Sequence, residues 1–304
     1  MKTANRWVVA IAGVFLQIVL GAVYAWSVFR IPLSKQFGWS ISQVTLTFTI
    51  SIFVLGFAAF FGGLWMNRKG PRVVALTGGA LYGLGVFLTS FSANNLWWLY
   101  FSYGFIGGLG LGLGYIVPVA VLVKWFPDRR GLITGIAVIS QEAPIFQELT
   151  GVSALAAGGM VGIASLGNGV GRVFWAWLSD LITRRATFGI MFIAQVLLFW
   201  FLPKITVPSV MTTVTFVILM CYGGGFGTMP AFTADYFGPK NVGPIYGLML
   251  TAWSFASVFG PLYIARMREI AGNYGGALHV IAGVMAISIL LPIIVRPPRR
   301  ERSG

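Results

Sequence analysis

The stretch SLGNGVGRVFWAW, residues 165–177, places a guanidinium, Arg172, and a carboxamide, Asn168, inside an otherwise apolar segment. On an α-helix, residues three, four and seven positions from Arg172 share its face. These neighbours are mostly small or polar: Ser165, Asn168, Gly169, Trp175, Ala176 and Ser179. The opposite face is apolar and includes Leu166, Val170 and Phe174. The spacing therefore predicts a helix that turns Arg172 toward neighbouring helices.

An arginine in this setting suits the binding of a carboxylate. Its planar guanidinium presents a fixed fork of N–H donors that matches the two carboxylate oxygens. Arg172 precedes Asp180 by eight residues, about 12 Å of helix rise, so we expect it deep within the apolar segment. A structural role stays open as the alternative, in which Arg172 forms an ion pair or extends toward the membrane surface.

The composition indicates what kind of structural elements position Arg172. The chain of 304 residues is 57% hydrophobic and only 9% charged, with a mean hydropathy of +0.85. Repeated apolar stretches of about 20 residues predict a polytopic helical membrane protein. The net charge of +14 comes from basic residues between the apolar stretches, so we expect no nucleic-acid partner. One cysteine and one histidine, Cys221 and His279, predict neither a metal site nor a cofactor.

Nine apolar stretches are long enough to cross a membrane, and a shorter one at 131–146 contains Gln141 and Glu142. The nine lie at about 7–29, 41–66, 72–92, 96–123, 152–178, 186–203, 209–232, 243–265 and 275–295. Most of the basic segments that connect these stretches fall on one side of the membrane only if 131–146 also crosses the membrane once. The positive-inside rule then predicts ten crossings with both termini in the cytoplasm.

Two pairs of segments suggest duplicated halves. GGLWMNRKGPR (62–72) aligns with WAWLSDLITRR (175–185), which places Asn67 opposite Asp180 and Arg72 opposite Arg185. The glycine-rich 110–118 with KWFPDRRGLITG (124–135) similarly aligns with 223–230 and 235–247. Both pairs have an offset of about 112 residues, which is typical of parallel-repeat transporters.

These motifs resemble the major facilitator superfamily. More narrowly, GAVYAW (21–26), RKGPR (68–72), KWFPDRRGLITG and NGVGRVFWAWLSD (168–180) are similar to the oxalate/formate antiporter family. The resemblance implies a major-facilitator-like all-α helical bundle, here with about ten membrane helices instead of twelve. Its loop motifs are interpreted as latches between helices: Asn67, Arg68, Arg72, Asp128, Arg129, Arg130, Asp180 and Arg185. Asn67 stands where the family usually has aspartate, and Thr183 where it usually has glycine.

The same resemblance implies a substrate-binding cage around Arg172 and Asn168, walled by aromatic residues. Its candidate members are Tyr24, Tyr115, Tyr222 and Phe226. The second basic residue of the oxalate site corresponds to Trp253, which carries no charge. A monocarboxylate such as formate, lactate or pyruvate therefore fits one arginine better than a dicarboxylate held at both ends.

The repeat offset is shorter than the family implies, because six helices per half would separate the repeats by about 200 residues. GLITGIAV (131–138) resembles the start of a fifth helix, and ISQEAPIFQE (139–148) the end of a seventh. We interpret this as an internal deletion. It predicts an N-terminal half at 1–130, a hybrid span at 131–148 and a C-terminal half at 149–304.

The resulting expectation is a secondary transporter of small organic anions in the cell (inner) membrane, in contact with lipid and monomeric. No acidic residue except Glu142 lies near mid-membrane, which favours anion exchange or facilitated passage over proton coupling. Two alternatives stay open. One is a remnant that inserts but cannot cycle. The other is a membrane enzyme, which the lack of paired acids or a nucleophile–base pair disfavours.

Overall fold

A computed structural model describes residues 5–92, 95–139, 156–271 and 275–295. Within these ranges the chain forms helices and turns without a β-strand. The α-helices are α1 (Arg6–Leu20), α2 (Trp26–Phe37), α3 (Ile41–Lys69), α4 (Pro71–Thr89), α5 (Leu96–Leu99), α6 (Gly108–Trp125), α7 (Arg130–Ile139), α8 (Ala156–Leu181), α9 (Arg184–Phe201), α10 (Pro208–Phe237), α11 (Val242–Ala271), α12 (Gly275–Ser288) and α13 (Leu290–Ile294). A π-helical segment, Tyr100–Gly107, joins α5 to α6.

Eight helical stretches within the described residues are long and apolar enough to cross a membrane. They are Arg6–Val23, Ile41–Lys69, Pro71–Thr89, Leu96–Trp125, Arg184–Lys204, Ser209–Phe237, Pro239–Gly260 and Gly275–Ile294. The chain is thus an all-α polytopic membrane protein, as predicted. Helix α8 has 26 residues, and α7 begins the short span predicted at 131–146. Residues 140–155 lie outside the described ranges, so the count of ten crossings stays a prediction.

The first predicted span differs from the structure. Instead of one helix over 7–29, α1 ends at Leu20, a 3₁₀ turn covers Gly21–Ala25, and α2 continues to Phe37. Helix α2 contains Pro32 in its interior. Proline removes only one backbone donor, and membrane helices tolerate it when neighbouring groups satisfy the freed carbonyl. Trp26 ties α2 to α3, because its Nε1 donates to the Val44 carbonyl at 3.1 Å.

Local signals set the ends of the long helices. Ser40 and Gln43 form a reciprocal capping box at the start of α3. Gly70 follows α3 with φ of +85°, a conformation that glycine adopts without strain, and Pro71 then begins α4. Gly238, with φ of +80°, precedes Pro239 in the same way after α10. The GP pairs in RKGPR and FGPK therefore turn the chain between helices.

Two helix pairs, α3 with α11 and α7 with α8, meet through similar close backbone contacts. A Cβ at Gly63 of α3 would overlap the backbone of Gly243 in α11, and a Cβ at Gly131 of α7 would overlap the Ala176 carbonyl in α8. Gly63 and Ala176 are 113 residues apart, and Gly131 and Gly243 are 112 apart. These are the offsets of the repeats. The predicted internal duplication would therefore relate the α3–α11 contact to the α7–α8 contact.

Candidate functional site

Helices α8 and α10 cross in backbone contact, and this crossing positions Arg172. A Cβ at Gly223 would overlap the Asn168 carbonyl oxygen, and one at Gly227 would overlap the Arg172 carbonyl oxygen. Gly171 meets Met220 in the same way. Only residues without a side chain permit such an approach. The glycines of α10 therefore bring its aromatic residues next to Arg172.

The side chain of Arg172 is buried, with 3% of its surface exposed. Its Nε donates to Asn168 Oδ1 at 3.4 Å, one helical turn away. Its Cζ lies 5.6 Å from the ring centroid of Phe226, within the range of a cation–π contact. On the same face Trp175, Ala176 and Ser179 are also buried.

The opposite face of α8 is exposed, as the spacing of its residues predicts. Leu166, Val170, Phe174 and Trp177 each have more than a third of their surface accessible. The predicted orientation of α8 is confirmed, with Arg172 toward the bundle and an apolar face outward.

Three predicted aromatic residues form one connected cluster. The Trp253 indole Nε1 donates to the Tyr222 hydroxyl at 3.0 Å. The Phe226 ring makes edge-to-face contacts with both, at centroid distances of 5.2 Å to Tyr222 and 5.4 Å to Trp253. Phe226 therefore joins this pair to Arg172.

Tyr115 occupies a neighbouring position on α6. Its hydroxyl lies 3.0 Å from the Tyr246 hydroxyl of α11, and both side chains are buried. The side chain of Tyr24 lies outside the described part of the structure, so its place in the cage stays a prediction.

A cavity of about 270 Å³ adjoins the cluster. Tyr222, Phe226 and Trp253 line it, together with Tyr246. Arg172 and Asn168 do not line it in the described structure, and Arg172 approaches it through Phe226. The sequence analysis missed Tyr246, although it lies seven residues before Trp253 and thus on the same face of α11. It also missed Cys221, which lines the cavity beside Tyr222.

The charged motif at the end of α8 contacts the start of α7, and we call these contacts the Asp180 latch. Asp180 accepts from the backbone N–H groups of Gly131 at 3.1 Å and Leu132 at 2.9 Å, which caps the start of α7. Its ion-pair partner is Arg184, at 2.6 Å. Arg185 instead donates to the carbonyls of Pro292 and Ile293, at the end of the last helix.

Arg184 extends this latch to α10. Its Nε pairs with Asp235 at 2.9 Å, and Arg130 pairs with the other oxygen of Asp235 at 2.6 Å. Asp128 pairs with Arg6 at 3.2 Å on a more exposed surface, and with its neighbour Arg129 at 4.0 Å. Neither Arg184 nor Asp235 was predicted as a latch residue.

The equivalent motif after α3 is different. Asn67, Arg68 and Arg72 are exposed, and neither arginine forms an ion pair with any of the described residues. Their role as latches stays a prediction. Nor do three or more His, Cys, Asp or Glu side chains cluster in the described structure in a way that could hold a metal.

Comparison with known proteins gives two matches to the sequence profile of the Major Facilitator Superfamily, at residues 9–143 and 139–304. YhjX of Escherichia coli, named as an MFS-type transporter, is 38% identical over 134 residues, which cover 44% of this chain and 33% of YhjX. Human monocarboxylate transporter 7 is 30% identical over 150 residues, or 49% of this chain and 28% of that protein. These matches span about a third of each relative's length. The oxalate:formate antiporter of Oxalobacter formigenes is 22% identical over 393 residues, with 97% of this chain and 93% of that protein covered.

Proposed function

Because the chain belongs to the major facilitator superfamily, we propose that it is a secondary transporter of small organic anions. Transport would occur by alternating access, with Arg172 binding the substrate carboxylate. The observation that carries the proposal is the burial of Arg172 against Phe226, at the crossing of α8 and α10. Two of the relatives are named as a monocarboxylate transporter and an oxalate:formate antiporter. These names support small organic anions as the substrate class.

The physical argument rests on the surroundings of the guanidinium. A charge-assisted hydrogen bond is stronger in a dry interior than in water, and the fork of arginine can hold both oxygens of one carboxylate. The neighbouring Asn168 and Phe226 are neutral, and Trp253 contributes only an indole N–H donor. Trp253 stands where the resemblance implies the second basic residue of the oxalate site, and its lack of charge favours a monocarboxylate over a dicarboxylate bound at both ends.

We further infer an internal deletion relative to full-length relatives, with its junction near residues 139–143. The two family matches meet there. The alignment with the oxalate:formate antiporter extends over 393 positions and includes 97% of the 304 residues of this chain, so about 98 positions have no counterpart. The halves at 1–130 and 149–304 and the hybrid span at 131–148 follow from this inference. The same observation favours a second candidate, a protein that inserts into the membrane but does not cycle.

Reconstitution into liposomes separates the two candidates. We expect counterflow of labelled formate or lactate into liposomes loaded with the same anion. Correct insertion without anion flux would support the non-cycling protein. Oxalate serves as the comparison, because a single arginine should bind it less well than it binds a monocarboxylate.

Variants at Arg172 test the binding site. Loss of a buried charged contact costs about 2–5 kcal/mol, so Arg172→Gln should weaken anion binding by at least about 30-fold. Arg172→Lys keeps the charge but loses the fork, and should give an intermediate loss. Arg129→Gln is the matched control, since that side chain is 66% exposed. Binding is measured as thermal stabilisation by formate, and abundance in the membrane is measured in parallel. If Arg172→Gln is stabilised by formate as much as the parent protein, Arg172 does not bind the anion.

A further inference from the structure

The cavity beside Phe226 is much more apolar than a site for formate or oxalate requires. Residues of four helices line it, including Phe188 and Phe192 of α9, Cys221 of α10, Met249 of α11 and Met285 of α12. Methionine side chains adapt their shape to an apolar ligand. The wall therefore suits a hydrocarbon group.

The volume of the cavity limits the size of the hydrocarbon group that it can bind. An apolar protein cavity of about 150 Å³ is large enough to bind benzene. The cavity here, at about 270 Å³, has room for an aromatic ring with a short substituent. Formate has three heavy atoms and no apolar surface, so it would leave most of this wall without a partner.

Phe226 adjoins both the cavity and the charged guanidinium of Arg172. Its ring lines the cavity and also lies 5.6 Å from Arg172 Cζ. We propose that the cavity binds the aromatic ring of an arylalkyl monocarboxylate, such as phenylacetate, while Arg172 binds the carboxylate. The assignment of the carboxylate rests on the proposed function, whereas that of the ring rests on the cavity itself.

Gly225 offers a way to fill the cavity. It lines the cavity, and no heavy atom lies within 4 Å of the position that a Cβ would occupy. The Cβ of Gly225→Leu therefore meets no neighbour, the longer side chain takes up cavity volume, and leucine favours the helix more than glycine does. Gly189 of α9 is equally unobstructed and is not among the residues that line the cavity, so Gly189→Leu is the matched control.

Cys221 reports directly on occupancy, because it is the chain's single cysteine and lines the cavity. The purified full chain is treated with methyl methanethiosulfonate, and modification of Cys221 is followed by mass spectrometry. We expect phenylacetate to slow modification at least tenfold relative to acetate at equal concentration. Phenylacetamide, its neutral analogue, should protect less. Thermal stabilisation by phenylacetate should be lost in Gly225→Leu and retained in Gly189→Leu.

Equal rates of modification in phenylacetate and acetate would overturn the proposal. If formate counterflow persisted in that case, the proposed function would still stand. A second result would also count against the proposal. In it, phenylacetate and phenylacetamide protect Cys221 equally, both in the parent protein and in Arg172→Gln. That result would overturn the joint site, because the ring would bind without help from Arg172.

Discussion

The substitution Asp180→Asn tests whether the Asp180 latch stabilises the contact between α7 and α8. The Asp180 carboxylate accepts two backbone N–H groups of α7 and pairs with Arg184 at 2.6 Å. Its side chain is 18% exposed, so water screens these contacts only partly. Asparagine has nearly the same shape but loses the negative charge and one of the two acceptor oxygens.

The expected cost follows from these contacts. A hydrogen bond to a charged group contributes about 1.5–3 kcal/mol, and a carboxylate at a helix N-terminus adds about 0.3–1 kcal/mol. Arg184 keeps its second partner, Asp235, and asparagine keeps one acceptor, so the terms do not simply add. We expect Asp180→Asn to lower the free energy of unfolding by about 2–3 kcal/mol.

Asp128→Asn is the matched control. Asp128 pairs with Arg6 at 3.2 Å, but its side chain is 46% exposed. An exposed ion pair contributes about 0–1 kcal/mol. Unfolding of both variants is followed by tryptophan fluorescence in the same detergent, and a rise in salt should affect only the Asp128 pair strongly. Equal losses of unfolding free energy in the two variants would refute the reasoning, since burial and the helix cap would then add nothing to the stability.

Two further predictions address packing and topology. Gly223→Val should destabilise the protein by about 1–3 kcal/mol, because its Cβ would overlap the Asn168 carbonyl, whereas Gly225→Ala on the same helix should be neutral or stabilising in the same unfolding assay. In a Cys221→Ser background, Lys204→Cys should react with an impermeant thiol reagent from outside intact cells and Lys69→Cys should not. Labelling of Lys69→Cys from outside would contradict cytoplasmic termini.

The orientation of α8 could be predicted because it depends on periodicity alone. Arg172, Trp175 and Ser179 recur at helical spacing, and residues at that spacing share a face in any packing arrangement. The structure buries all three and exposes Leu166 and Val170. Helices that cross a membrane satisfy their backbone groups internally, so local patterns are unusually informative about them.

The partner of Asp180 could not be predicted in the same way. Arg184 and Arg185 are adjacent in sequence and point about 100° apart on α9, so the alignment of repeats cannot distinguish their partners. The choice depends on where tertiary packing places other groups. Asp235 of α10 lies on the side of Arg184, and the carbonyls of Pro292 and Ile293 lie on the side of Arg185. The cavity was also missed, because four separate helices contribute to it.

The predicted repeat pairs Asn67 with Asp180, and the surroundings of the two positions differ. In the α7–α8 contact, Asp180 accepts from the N–H groups of Gly131 and Leu132. The repeat relates these residues to Gly243 and Pro244 at the start of α11, and proline has no N–H to donate. A carboxylate at position 67 would therefore lack one of the two donors that Asp180 has.

The α3–α11 contact is stabilised differently. Gly63 and Gly243 allow the backbones to meet, and the buried Ser254 hydroxyl of α11 donates to the Ile52 carbonyl of α3 at 3.0 Å. The α7–α8 contact thus includes a charged latch, whereas the α3–α11 contact has close packing and a neutral hydrogen bond. Charge substitutions should consequently weaken the α7–α8 contact, while added side-chain volume at Gly63 or Gly243 should weaken the α3–α11 contact.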